Sequence, residues 1–204
     1  MNKCVKTLTD IYIKHGLTIH TPIDGTNKCY TYDSNDTKNL NFELLGYNIQ
    51  SIKGDKDRQG VFSLSKDKKK KISDRISKVF LKFDSLLNTV SYDVAAHYLF
   101  DALHVLTCNI NLYNAKRGVK VGIFYSNQLL DNIKDLVGLD RYIQYRCEQM
   151  SLKGKAGVNP VKQPQIEVTL KKQLKQISFV KGFDTHKRYK IKKSRLQMIK
   201  QSWV

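Results

Sequence analysis

Seven apolar residues in the middle of the chain, Ile72, Ile76, Val79, Phe80, Phe83, Leu86 and Leu87, recur at spacings that a helix of 3.6 residues per turn gathers onto one side. No other feature of the 204 residues limits the fold as strongly. The stripe predicts a long helix opening at Ser65, one that must bury a face against other elements because helices gain most of their stability from packing. Its first turns carry Lys66, Lys68, Lys69, Lys70 and Lys71. The helix dipole disfavours cations there by roughly 0.3–1 kcal/mol each. They are expected to form either a solvated lysine face or a phosphate-binding one.

On the N-terminal side, Val5, Leu8, Ile11 and Tyr12 space an amphipathic helix that His15-Gly16 would end. An extended piece, Leu17-Thr18-Ile19, and a polar loop over 20–40 with Pro22 and Gly25 follow. Phe42 to Ile52 and Val61 to Leu64 are two apolar runs that predict a hairpin closed by the basic loop Lys53 to Gly60. Gly46 interrupts the first run, where a glycine points to a bulge or a tight bend.

Beyond the long helix, Ser91 would cap a second helix through about Thr107, and Lys120 to Tyr125 form a short β-prone piece after the turn Lys116-Arg117-Gly118. A third helix is expected from about Gln128 to Met150, with Leu129, Ile133, Leu136, Tyr142 and Ile143 on one face and Gly138 as a possible break. Gly154, Gly157, Pro160 and Pro164 make 151–164 the expected linker or flexible loop. Two helical pieces, about 165–178 and 194–203, flank Phe179 to Phe183. The expected class is α+β, mostly α, and a hydrophobic content of 41% is enough for a core.

Charge indicates the partner. Lys and Arg number 36 against 18 acidic residues, a net charge of +18, and residues 141–204 alone hold 16 basic and 3 acidic groups. A polyanion is the natural ligand of such a surface. The C-terminal stretch interleaves its cations with rings: Phe179, Lys181, Phe183, Lys187, Arg188, Tyr189, Lys190, Lys192, Lys193, Arg195 and Trp203. Phe179, Phe183 and Trp203 suit packing anchors, and the cations suit a nucleic-acid face. No apolar stretch is long enough to span a bilayer, the N-terminus lacks a signal-peptide core, and Cys4, Cys29, Cys108 and Cys147 are scattered, so a cytoplasmic protein with reduced core thiols and no membrane partner is expected.

Catalytic constellations are scarce. The chain has no GxxxxGK[ST], GxGxxG, GxSxG or HExxH. His97, His104 and Cys108 share a helical face, but packing explains them better than a metal, and no metal site is expected. Asp131, Asp135 and Asp140 are expected to support solubility.

Several segments together resemble one family. Leu45-Gly46-Tyr47 in FELLGYNI resembles the (Phe/Leu)-Leu-Gly-Tyr of the primer-grip hairpin of bacterial reverse transcriptases, followed as there by a lysine-led helix with an Arg-Ile pair, KDKKKKISDRISKVF. LTDIYIKHGLTI resembles the palm helix and strand start that follow their catalytic hairpin. NINLYNAKRGVKVGIFYSNQLLDNIKDLVGLDRYIQ is similar to a Lys-Val-Gly-Ile-Tyr-Tyr segment in the thumb region of the unknown-group and abortive-infection-like branch, which acts in antiphage defence. SFVKGFDTHKRYKIKKSRLQMIKQSW resembles the C-terminal pattern of that branch.

The resemblance implies that 1–64 end a polymerase palm and 65–204 form a helical basic thumb. It implies that Leu45, Gly46 and Tyr47 meet a primer, and that Lys68, Lys69, Lys70, Lys71 and Arg75 contact the duplex backbone. Lys187, Arg188, Lys190, Lys192, Lys193 and Arg195 would then contact template or structured RNA. The family's Tyr-x-Asp-Asp is absent; the nearest string, Tyr30-Thr31-Tyr32-Asp33-Ser34, has one aspartate, and His20-Thr21-Pro22-Ile23 replaces the usual Asn-x-x-Lys. Without carboxylates to hold two metals, no catalytic residue is expected in this chain, and polymerisation by it alone is not expected. Mg2+ would enter only a complete assembly with RNA or DNA and a polypeptide carrying fingers and catalytic palm. A stand-alone RNA- or DNA-binding protein is the other expectation.

Overall fold

The computed structural model describes residues 10–16, 41–52, 59–111 and 120–203. The start of the expected first helix, the extended 17–19, the loop 20–40 with Tyr30 to Ser34, the loop residues 53–58, the turn Lys116-Arg117-Gly118, Cys4 and Cys29 lie outside them. Residues 10–14 are helical, with Ile11 and Tyr12 exposed.

The described chain is α+β and mostly helical. Strands β1 (Asn41–Leu44), β2 (Tyr47–Ile52) and β3 (Gln59–Leu64) form an antiparallel sheet in chain order. Two helices follow, α1 (Lys66–Leu86) and α2 (Tyr92–Thr107), then an antiparallel pair, β4 (Asn109–Asn111) and β5 (Lys120–Gly122). Helices α3 (Lys134–Gln149), α4 (Gln163–Leu174), α5 (Phe179–Asp184) and α6 (Lys193–Gln201) complete it.

The apolar run from Phe42 to Ile52 is two strands. Leu44 pairs with Tyr47, so Leu45 and Gly46 make a two-residue reversal with φ of 50° and 82°. Positive φ at both central residues is the turn whose twist matches flanking strands. Glycine is there to reverse the chain, not to bulge it.

The stripe on α1 behaves as its spacing requires. Ile76, Val79, Phe80 and Phe83 are buried, with Ile72 and Leu86 partly so, and the helix packs against α2 and α3. Leu99, Leu103, Leu136, Ile143, Leu170, Leu174, Phe179 and Ile199 close the core around it. Ser65 caps α1 by accepting from the Lys68 amide at 3.2 Å. Ser91 sits at the N-cap of α2 but its side chain makes no capping bond.

Several expected boundaries differ. Helix α3 starts at Lys134, not Gln128, and Gly138 does not break it; Leu129 and Ile133, expected on its buried face, are exposed. The reason lies in β3. The Phe62 amide donates to the Asp131 carboxylate at 3.1 Å, while the Asp131 amide donates back to the Phe62 carbonyl at 3.0 Å, which holds this stretch as an edge clamp. Strand β5 likewise ends at Gly122, because 123–127 turn beneath the hairpin.

Residues 151–164 are not a linker. Leu152 and Val158 are buried, and the Gly157 amide donates to the Leu87 carbonyl at 2.7 Å while its own carbonyl accepts from Tyr92 at 3.0 Å. Helix α4 spans Gln163–Leu174 rather than 165–178, α6 spans Lys193–Gln201 rather than 194–203, and Phe179 to Phe183 belong to a helix of their own. Cys108 and Cys147 are free, buried thiols, and burial pushes Cys147 up to about 11. Among the described residues no helix is long and apolar enough to cross a membrane.

The three aspartates expected to support solubility bind backbone instead. Asp135 accepts from the Leu64 amide at 2.8 Å, and Asp140 takes the Phe179 amide and the Ser178 hydroxyl, each at 2.6 Å, fixing the start of α5.

Two glycines of the same sequence type should respond oppositely. A Cβ on Gly182 would lie 1.7 Å from the Thr107 carbonyl, whereas one on Gly138 in α3 meets nothing within 4 Å. Gly182→Ala is expected to remove several kcal/mol of stability, and Gly138→Ala to add about 0.5–1 kcal/mol. Urea denaturation of the two variants checks both signs.

Candidate functional site

Lys68, Lys71, Arg75 and Lys78 follow one another along α1 at spacings of three, four and three, and so share a face. That face borders a cleft of about 380 Å³ floored by Ile72, Val105, Leu106, Ile110, Val121 and Ile123. Lys68, Lys71, Arg75 and Lys200 of α6 line it, and Trp203 closes one side. Two further hollows continue it: one reaches Glu43, Leu44, Leu45 and Gly46, the other runs out along Asp67, Lys70, Asp74 and Lys78. Lys71 lines all three. Among the described residues no carboxylate lines the central cleft, so positive potential concentrates there rather than at its acidic ends.

The lysine run divides by angular position. Lys68 points inward: its ammonium donates to the Ser126 carbonyl at 3.1 Å and lies 5.0 Å from the Tyr47 ring centroid, and burial holds its pKa below the usual lysine range. Lys69 faces α3 and pairs with Asp135 at 3.0 Å. Lys70 and Lys71 are exposed. The Arg75 guanidinium sits 4.8 Å over the Trp203 ring, and the Lys78 ammonium donates to the Trp203 carbonyl at 2.8 Å. Two atoms buried at the cleft, the acceptor Asn127 Oδ1 and the donor Trp203 Nε1, have no hydrogen-bond partner among the described residues.

The hairpin meets this face. The Ser65 amide donates to the Gly46 carbonyl at 3.0 Å, and the Lys66 amide to Glu43 at 2.9 Å. The Tyr47 hydroxyl reaches the Ser126 carbonyl at 3.5 Å, so Tyr47 braces the hairpin, while Leu45 at its tip is 88% exposed.

The C-terminal basic stretch lies elsewhere. Lys187, Arg188, Lys190, Lys192 and Lys193 are exposed, and none lines the central cleft. Asn109, fully buried, positions the stretch: its amide donates to the Lys187 carbonyl at 2.8 Å and its carbonyl accepts from Tyr189 at 2.7 Å. Arg195 differs from its neighbours, because its Nε contacts Asp101 at 2.9 Å. The Tyr189 hydroxyl donates a short hydrogen bond to the same carboxylate, and burial together with that bond raises its pKa.

His104 stacks on Tyr189 at 4.7 Å with Nδ1 2.8 Å from the Phe100 carbonyl; burial lowers its pKa. His97 is exposed and Cys108 buried, so the three do not gather. The described residues do not fit Mg2+ either: Asp131, Asp135 and Asp140 are each committed to backbone amides at separate places, and no described group of three or more His, Cys, Asp or Glu converges.

Lys78 and Lys200 were not singled out by the sequence. Continuing the Lys71–Arg75 spacing by three would have found Lys78; Lys200 arrives only by tertiary packing of α6. Because Asp101 is nearly buried, Tyr189→Phe and Arg195→Ala should each destabilise the fold by about 1–3 kcal/mol, as either leaves the carboxylate short of a partner. Thermal denaturation measures it, and Lys190→Ala, an exposed neighbour, should leave Tm unchanged. No family model, no curated protein and no solved structure matches the chain.

Proposed function

We propose that the cleft along α1 binds the sugar-phosphate backbone of a nucleic-acid duplex, and that the chain serves as the palm-end and thumb portion of an RNA-directed DNA polymerase of the antiphage-defence type. The observation that carries the binding reading is the convergence of Lys71, Arg75 and Lys200, from two helices distant in sequence, on one cleft that no described carboxylate lines. Cations in a concave, apolar-walled site attract phosphate more strongly than the same charges spread on a convex face. The polymerase reading is supported by the hairpin: an exposed Leu45 with backbone in the left-handed region stands at the end of that cleft, fixed to α1 through Gly46 and Glu43. Backbone strain at a ligand-facing turn is a feature of functional sites. Because the 204 residues hold no Tyr-x-Asp-Asp, DNA synthesis needs aspartates and Mg2+ from outside them.

Binding of a fluorescent blunt duplex across a KCl series should give a slope of log K against log salt of about −3, one unit for each of Lys71, Arg75 and Lys200. Lys71→Ala or Arg75→Ala should reduce the slope by about 1, and Lys69→Ala should not, because Asp135 already holds that charge. A flat salt dependence, or equal effects of Lys69→Ala and Lys71→Ala, would reject the cleft. Primer extension with Mg2+, by this chain alone and mixed with a neighbouring gene's Tyr-x-Asp-Asp polypeptide, tests the polymerase part. Synthesis only in the mixture is expected.

A further inference from the structure

Beside the turn whose Ile123 and Ser126 line the cleft, Phe124 and the exposed His186 ring are stacked, with centroids 3.6 Å apart and planes inclined by 28°. Tyr125 meets the Phe124 ring edge-on at 5.4 Å and Phe183 packs on it at 5.5 Å, so two rings hold the one beneath His186 in place. The backbone is arranged to keep this stack. His186 has φ of 49°, in the left-handed region that non-glycine residues rarely adopt. Its amide donates to the Phe183 carbonyl at 3.2 Å.

Asn109 ties both supporting segments together. Its side-chain oxygen accepts from the Phe124 amide at 3.0 Å, and its side-chain NH2 donates to the Gly182 and Lys187 carbonyls, both at 3.3 Å. The rings are therefore ordered before anything binds, which lowers the entropy lost on binding. Cations adjoin them, one in space and two in sequence. Lys120 lies 5.6 Å from the Tyr125 centroid, Lys187 and Arg188 continue directly from His186, and no acidic residue occurs after Asp184.

We infer that this stack is a second binding surface, one that takes an unpaired base of single-stranded nucleic acid on the outer face of His186 while Lys120, Lys187 and Arg188 hold the flanking phosphates. Charge selects a polyanion. The ring selects a base whose face is open, which a paired base inside a duplex does not offer, and stacking on an aromatic tolerates any sequence. Ile123 and Ser126 of the same turn line the cleft, but the stack stands on its own residues and does not depend on the duplex reading.

The test is fluorescence anisotropy with the full chain and three probes of equal charge: a single-stranded oligonucleotide, the same backbone with abasic sites, and a blunt duplex. His186→Gly removes the ring at a position whose φ suits glycine, so its Tm should equal or exceed that of the parent. The expected result is a loss of roughly fivefold to hundredfold in affinity for the single strand. Abasic and duplex probes should change less than twofold, and His186→Trp should restore single-strand binding. Equal effects on all three probes, no effect on any, or competition by polyglutamate as strong as by the single strand would overturn the inference. If the parent does not bind blunt duplex while the His186-dependent difference persists, the cleft reading fails and this one stands.

Discussion

Backbone amides at the join of β3 and α1 have no ladder or helix partner, and the way they are satisfied places the rest of the molecule. Strand β3 pairs with β2 on one side only, so its outward Phe62 and Leu64 amides face an open edge. Asp131 and Asp135 take them. Glu43 and Ser65 take the Lys66 and Lys68 amides at the start of α1. The Leu64 and Lys68 amides are half-buried, where losing the acceptor costs more than at the exposed Phe62 and Lys66 amides, and each acceptor adds a directional link between elements to the non-directional apolar contact. The edge is blunted against pairing with other chains by the same bonds. It follows that α3 begins where Asp135 can reach β3 and Lys69 together, and that the hairpin stands at the end of the cleft.

The same join resolves the conflict between the lysine run and the helix dipole. Carboxylates from other parts of the fold, Glu43 and Asp135, lie at the amino end of α1 and supply the negative charge favoured there. Lys69 is neutralised, Lys68 is drawn under Tyr47, and Lys70 and Lys71 remain outward. Residues of one type, adjacent in sequence, thus have three different environments, decided by the 100° that separates successive helical positions.

This explains what could be read from the sequence and what could not. The α1 stripe was legible because burial imposes a period, and so was a hairpin over residues 42–64. Periodicity misled at 128–133, where Leu129 and Ile133 continue the spacing of α3 but the chain turns and is held by the bonds of Asp131 and Asn132 to Phe62. Composition misled at 151–164, since glycines and prolines mark irregular backbone and not mobility; Gly157 is small because the Val90 carbonyl would lie 2.3 Å from its Cβ. The roles of Asp131, Asp135, Asp140 and Asn109 left no local signal, because each acts on amides or carbonyls 15 to 78 residues away. In the candidate site Lys71 and Arg75 were legible; Lys200 and the Phe124–His186 stack required the tertiary fold.

The cleft and the stack share one short turn. Ile123 and Ser126 line the first, Phe124 and Tyr125 form the second, and Asn127 and Asn109 pin the turn from within. The effects of the two surfaces would multiply on one ligand. If the cleft binds nucleic acid as proposed, a bound duplex would hold any unpaired extension near the stack at an effective concentration in the millimolar range for a short tether, so even a weak single-strand contact would add appreciably to the whole. On the two proposed readings, rigid placement of both sites on one turn would favour a duplex–single-strand junction over either form alone.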